Sequence, residues 1–157
     1  MTRRTTALAA ALSLLPLGQP LLLGSTTALA IAAVVLSTQT AVAQSADDYL
    51  NRGNTKYHLR DYQGAIADYS KAIEINPQYA YAYINRGNAK SDLGSYQGAI
   101  ADYNKAIEID PQDADAYYNR GNAKELVRDL KGACADWRKA SSLGDQDAAG
   151  WVRDQCQ

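Results

Sequence analysis

The tetrapeptide Asn51-Arg52-Gly53-Asn54 returns as Asn85-Arg86-Gly87-Asn88 and again as Asn119-Arg120-Gly121-Asn122, 34 residues on each time. A fixed period of this length marks stacked repeats, in which one unit cannot bury its own apolar face and relies on its neighbours. Taken from their first alanines, the units are 46–79, 80–113 and 114–147, and the first two agree at 23 of 34 positions. The chain therefore reads as a small solenoid, an architecture that offers an extended surface to a partner.

Each unit reads as two helices. In the first unit, Tyr49, Leu50, Gly53 and Tyr57 have helical spacing over about Asp47 to Leu59. A second helix over about Tyr62 to Ile75 carries Ala65, Ile66, Tyr69, Ala72 and Ile73 on one stripe. Pro77 and Pro111 stop the second helices. Gly94 suits a left-handed residue at the end of a first helix.

These residues carry a family resemblance. Tyr49, Gly53, Ala65, Tyr69, Ala72 and Pro77 stand where the tetratricopeptide repeat family has its aromatic, small and proline positions. The second unit supplies Tyr83, Gly87, Ala99, Tyr103, Ala106 and Pro111, and the third Tyr117, Gly121, Ala133, Trp137 and Ala140. The resemblance covers Ala46 to the C-terminus. It implies an all-α, right-handed α-solenoid of three helix-turn-helix repeats closed by a capping helix, working as a protein-interaction module.

The departures carry their own information. The family's Leu before the Gly is Arg52, Arg86 and Arg120, and its later first-helix aromatic is Lys56, Lys90 and Lys124. A charge at a partly buried position needs a partner. Asp68, Asp102 and Asp136 recur with the same period on the second helices, so each Arg is expected to pair with one of them. The alternative is a solvated arrangement in which the Asp residues meet Lys71, Lys105 and Lys139 three positions on.

The last repeat has Asp145 where proline is expected, and residues 148–157 read as the polar-faced cap that a solenoid end requires. Asp145 or Asp147 is placed to cap that helix. Trp151 lies 34 residues after Tyr117, which assigns it to the repeat's aromatic position. Cys134 and Cys156 fall at similar heights on neighbouring antiparallel helices, making a candidate disulfide across a 22-residue step. Two unrelated small buried residues are the other reading.

Residues 1–43 contain no acid and no aromatic side chain. Arg3 and Arg4 precede an apolar run that ends in Ala41-Val42-Ala43, the layout of a secretory signal peptide cleaved near Ala43. The last apolar run, Ala28–Leu36, is too short to span a bilayer, which takes about 20 apolar residues. An uncleaved membrane anchor is the competing reading. The expected product is exported, periplasmic or secreted, and free of the membrane. Without Arg3 and Arg4 it has 14 basic and 17 acidic residues, and no basic block. That balance argues against a nucleic-acid partner, whose binding needs a basic surface.

In the family, positions two before and one after the Gly face the groove. Here they are Asn51, Asn85 and Asn119, with Asn54, Asn88 and Asn122. A carboxamide both donates and accepts, so a ladder of them can satisfy an extended peptide backbone without reading its side chains. The alternative is that the Asn residues recur only because the repeats are copies. The groove is also expected to include Asp47, Tyr81 and Asp115, then Leu50, Ile84 and Tyr118, with Tyr57, Ser91 and Glu125 beside them. Family members that clamp a C-terminal carboxylate use Lys and Arg where this chain has Leu50, Asn54, Asn85, Asp115 and Asn119, so a carboxylate tail is not expected, and Asp47, Asp115 and Glu125 point to a neutral or basic peptide. With His58 as the one histidine, no glycine-rich phosphate loop and no metal-ligand cluster, no enzyme, cofactor or metal is expected. Self-association into a homo-oligomer is the rival use of the same surfaces.

Overall fold

The computed structural model describes residues 44–156. The signal-peptide and cleavage readings, over 1–43, lie outside them, as does Gln157 at the end of the expected cap. The described residues form seven helices and no strand. They are α1 (Ala46–His58), α2 (Tyr62–Ile75), α3 (Ala80–Asp92), α4 (Tyr96–Ile109), α5 (Ala114–Leu126), α6 (Leu130–Ser142) and α7 (Gln146–Gln155). Each helix packs mainly on its neighbours in sequence, while α1, α3 and α5 also touch side by side.

The helix ends follow from local chemistry. Ser45 accepts from the Asp48 amide and Asp48 accepts from the Ser45 amide, a capping box that opens α1. Asp61, Asp113, Asp129 and Asp145 cap α2, α5, α6 and α7 by accepting a backbone N–H three residues on. The turn inside each unit closes through one left-handed residue. In the second unit it is Gly94, at φ 77°, and in the others it is Arg60 at φ 61° and Arg128 at φ 69°. Only the second unit uses the residue without a Cβ penalty there.

Every core cluster is built from two consecutive units. Ala89 of α3 completes the cluster around Ala65 and Tyr69 of α2. Ala116 and Ala123 of α5 complete the cluster of Ala99, Tyr103 and Ala106. Ala148, Val152 and Cys156 complete the cluster of Ala133, Trp137 and Ala140. The cap therefore does for the third unit what the third does for the second. Small alanines bring the helices close, and Tyr69, Tyr103 and Trp137 fill the remaining space, almost wholly buried. Burying an aromatic of this size contributes about 2–3 kcal/mol.

The invariant glycine of each tetrapeptide is where that ring lies. A Cβ on Gly53 would stand 2.5 Å from the Tyr69 ring, and one on Gly87 or Gly121 would stand 2.6 Å from Tyr103 or Trp137. The cap is also tied covalently. Cys134 and Cys156 form a disulfide with their Cα atoms 5.5 Å apart, and Arg138 donates to the Cys156 carbonyl at 2.9 Å. Closing that loop is worth about 3 kcal/mol on the chain-entropy argument.

The cap begins earlier than the 34-residue period implies. Gly144, at φ 105°, turns the chain directly into the N-cap Asp145, where the other units spend a proline and further turn residues. The helix therefore starts at Gln146, with Asp145, one of the two candidate caps, as its N-cap. We predict that Gly87→Ala forces the Tyr103 ring off its seat and destabilises the protein by about 1–3 kcal/mol, read from the urea midpoint. An unchanged midpoint would show that the ring has room to move.

Candidate functional site

The two helices of each unit are joined by the same ionic cluster. Arg52 grips Asp68 through Nε and Nη2, and Lys56 Nζ lies 2.9 Å from the same carboxylate. Arg86 donates to Asp102 at 2.9 and 2.7 Å, with Lys90 at 2.7 Å. Arg120 donates to Asp136 at 2.8 and 2.6 Å, with Lys124 at 2.7 Å. The pairing is within the unit. The three carboxylates are buried at 3–4% exposure, which is tolerable only because two cations share each one.

The solvated alternative does not describe this arrangement. Lys71 and Lys105 meet Glu74 and Glu108 instead, and Lys139 lies over the Tyr117 ring. Lys56, Lys90 and Lys124 are the second cation of each cluster, a role the sequence signals by their period. Arg and Lys four apart share a helix face, and both recur with the Asp.

Each Arg also reaches back. Arg86 Nη1 donates to Ser70, and Arg120 Nη1 to Asn104, both on the preceding second helix. With no preceding unit described, Arg52 Nη1 donates to Gln44 instead. The Arg-Asp-Lys clusters therefore draw in every Arg and Lys of α1, α3 and α5. Arg52 holds the Asp68 carboxyl below the ordinary carboxylate range, with Lys56 helping.

The Asn residues split into two roles. Asn54, Asn88 and Asn122 accept from Tyr69 OH at 2.9 Å, Tyr103 OH at 2.7 Å and Trp137 Nε1 at 2.9 Å. An indole N–H only donates, so it fixes which end of the Asn122 carboxamide points inward. The ring bonds hold the oxygens inward and turn the Nδ2 groups away. Burial pushes the Tyr69 phenol up to about 12, so it stays a donor well into the alkaline range. Asn85 donates to Asn54 Oδ1 at 3.0 Å, linking one rung to the next.

Two clefts open along this ladder. One is lined by Asn54, Tyr57, His58, Tyr69, Asn85 and Asn88. The other is lined by Tyr57, Asn88, Ser91, Asp92, Tyr103, Asn119 and Asn122. Tyr57 OH donates to Asp92 across the boundary between the first two units, and Tyr79 OH donates to Asp47 from the end of the first unit back to its start. Asn51 is exposed, and Tyr81 stands 62% exposed beside the ladder. Ile84 is not part of this surface. At 4% exposure it belongs to the core under α3 and cannot meet a ligand.

Trp151 also needs reassignment. Asp113 caps Ala116 and Asp145 caps Ala148, and both alanines are fully buried, so the cap is in register 32 residues on, not 34. Trp151 is the sixth residue of its helix, as are Asn51, Asn85 and Asn119. It continues the ladder instead of standing at the Tyr117 position, and it stacks on Trp137 at 5.3 Å. Tyr118 lines the cleft between α5 and the cap. Among the described residues there is no metal-binding cluster, and no helix is long and apolar enough to cross a membrane.

Sequence profiles of the tetratricopeptide repeat match residues 46–79 and 69–101, and a TPR repeat profile matches 87–126. The TPR domain of Arabidopsis OM64 is 32% identical, with a TM-score of 0.66 over 69% of this chain and 91% of that one. This chain belongs to the tetratricopeptide repeat family. The first TPR of Spaghetti (RPAP3), bound to the HSP90 peptide SRMEEVD, is similar at 26% identity and a TM-score of 0.69, covering 73% of this chain and 93% of that one. The second TPR domain of human RPAP3, in complex with the HSP70 peptide SGPTIEEVD, is similar at 25% identity and 0.67, covering 71% and 95%. Among curated proteins, none matches the chain.

The ionic clusters predict an acid dependence. Asp68 has a lower pKa folded than unfolded, so its contribution is complete above about pH 4, the unfolded value, and fades as pH falls through the folded value. Asp68→Asn should melt below the wild type at neutral pH, and the gap should close below about pH 4. A gap that persists unchanged in acid would remove the charge from the explanation.

Proposed function

We propose that this chain is a non-enzymatic interaction module that holds an extended protein segment along a concave face formed by α1, α3 and α5. The observation that carries the reading is the oriented Asn ladder. Asn54, Asn88 and Asn122 have their oxygens tied to buried rings, which leaves their donor ends for a ligand. Asn51, Asn85 and Asn119 supply a second row at regular height. Donors repeated once per unit suit the carbonyls of an extended backbone. Two structural relatives are complexes with peptides, which supports the same use of the fold here.

The charge of the surface shapes the partner. The Arg and Lys residues of these helices are drawn into the ionic clusters, while Asp47, Asp92, Asp115 and Glu125 remain on the same helices. Burial and the nearby Asp113 and Asp145 raise the Asp115 carboxyl above its ordinary value, as expected where negative charge accumulates. A neutral or basic segment therefore fits better than an acidic tail. We place this activity in an exported, oxidising compartment, after removal of residues 1–43. The Cys134–Cys156 disulfide supports that placement, because such bonds persist where thiols are not kept reduced.

The test is capture of partners from the native envelope fraction by the full chain and by Asn51→Ala/Asn85→Ala/Asn119→Ala, with circular dichroism to show both folded. A partner lost only in the triple variant is the expected result. A partner retained by both would move the interaction off the ladder. Concentration-dependent mass without any foreign partner would favour self-assembly.

A further inference from the structure

The cap carries groove positions with different chemistry. Counted along α7, the second, fifth, sixth and ninth residues are Asp147, Gly150, Trp151 and Asp154. In α5 they are Asp115, Tyr118, Asn119 and Asn122. Gly150 lacks the side chain that Tyr118 supplies at the fifth position of α5, and a Cβ built there would come near only the Arg153 guanidinium, at 3.9 Å. The space left is a cleft of about 340 Å³ lined by Tyr118, Trp151, Asp147 and Asp154, with Gln146 and Gln155. No Lys or Arg lines it.

We propose that this cleft is a subsite for a lysine or arginine side chain of the bound segment. The proposal takes the segment from the peptide-holding reading above, but recognition of the cation rests on the cleft alone. Trp151 has one ring face against Trp137 and remains 36% exposed, and Tyr118 supplies a second aromatic wall. Aromatic faces attract a cation, and two carboxylates add charge complementarity. Asp154 already meets Arg153 Nε at 3.0 Å, but both side chains of that pair are more than half exposed. An exposed neighbour pair of this kind yields readily to a better-placed cation. The disulfide and the bond from Arg138 to the Cys156 carbonyl hold the end of the cap, so the walls are preformed.

The probe is Nα-acetyl-arginine N-methylamide, compared with its citrulline counterpart, which keeps the shape and lacks the charge. Both are titrated into the full chain while the indole N–H signals of its two tryptophans are followed by NMR. The arginine compound should shift the Trp151 signal saturably, the citrulline compound should bind about tenfold more weakly or worse, and Asp147→Asn/Asp154→Asn should weaken arginine by about tenfold. An unmoved Trp137 signal in that variant shows the cap still docked. Equal responses to the two compounds, or no saturable shift with the cap docked, would overturn the subsite. Peptide capture that depends on the Asn ladder but shows no arginine response would remove this proposal and leave the ladder. An arginine response in a protein that captures nothing would support the subsite and remove the ladder.

Discussion

A buried carboxylate on every second helix organises this structure. Asp68, Asp102 and Asp136 lie where solvent cannot screen them, and each is held by an Arg and a Lys of the first helix in the same unit. Removing such charges from water costs several kcal/mol per ion, so the pairs add less to net stability than their number suggests. Their effect is on register. A slide or rotation of one helix against the other would leave a charge buried without its partner, which is far more costly than losing an apolar contact. The third Arg nitrogen then reaches the preceding second helix, carrying the same constraint from unit to unit.

The clusters also decide the character of the exposed first-helix face. Cations that could clamp an acidic ligand are turned toward the second helices. The face is left with carboxamides, phenols and carboxylates. Its carboxamides are oriented by the same rings that fill the core, since Tyr69, Tyr103 and Trp137 each hold one Asn oxygen. Packing therefore orients side chains outside the core: the glycine that admits each ring stands next to the Asn that the ring holds.

Much of this was legible in the sequence because the repeats are near copies. The period located the units, proline and helical spacing set the helix bounds within a residue or so, and the recurring Arg and Asp pointed at each other. The Lys of each cluster was equally periodic, but it stood at a position whose family residue is apolar and was read only as a departure. The register of the cap was hidden for a physical reason. Gly144 and Asp145 shorten the last turn, and a fixed period carried across that turn puts Trp151 two positions away from its place. Burial of Ile84 follows from its packing among residues of α4 and α5, which periodicity alone does not supply.

The most direct test of the account is calorimetric titration of the full chain with the acidic tail peptide SRMEEVD, the peptide bound by the similar Spaghetti domain, beside a version with its acids replaced by lysines and its C-terminus amidated. If the first-helix cations are committed to Asp68, Asp102 and Asp136, the acidic peptide gives no measurable heat of binding, and any binding is confined to the basic one. Tight, saturable binding of the acidic peptide would show that those cations are free to serve a ligand, contradicting the account.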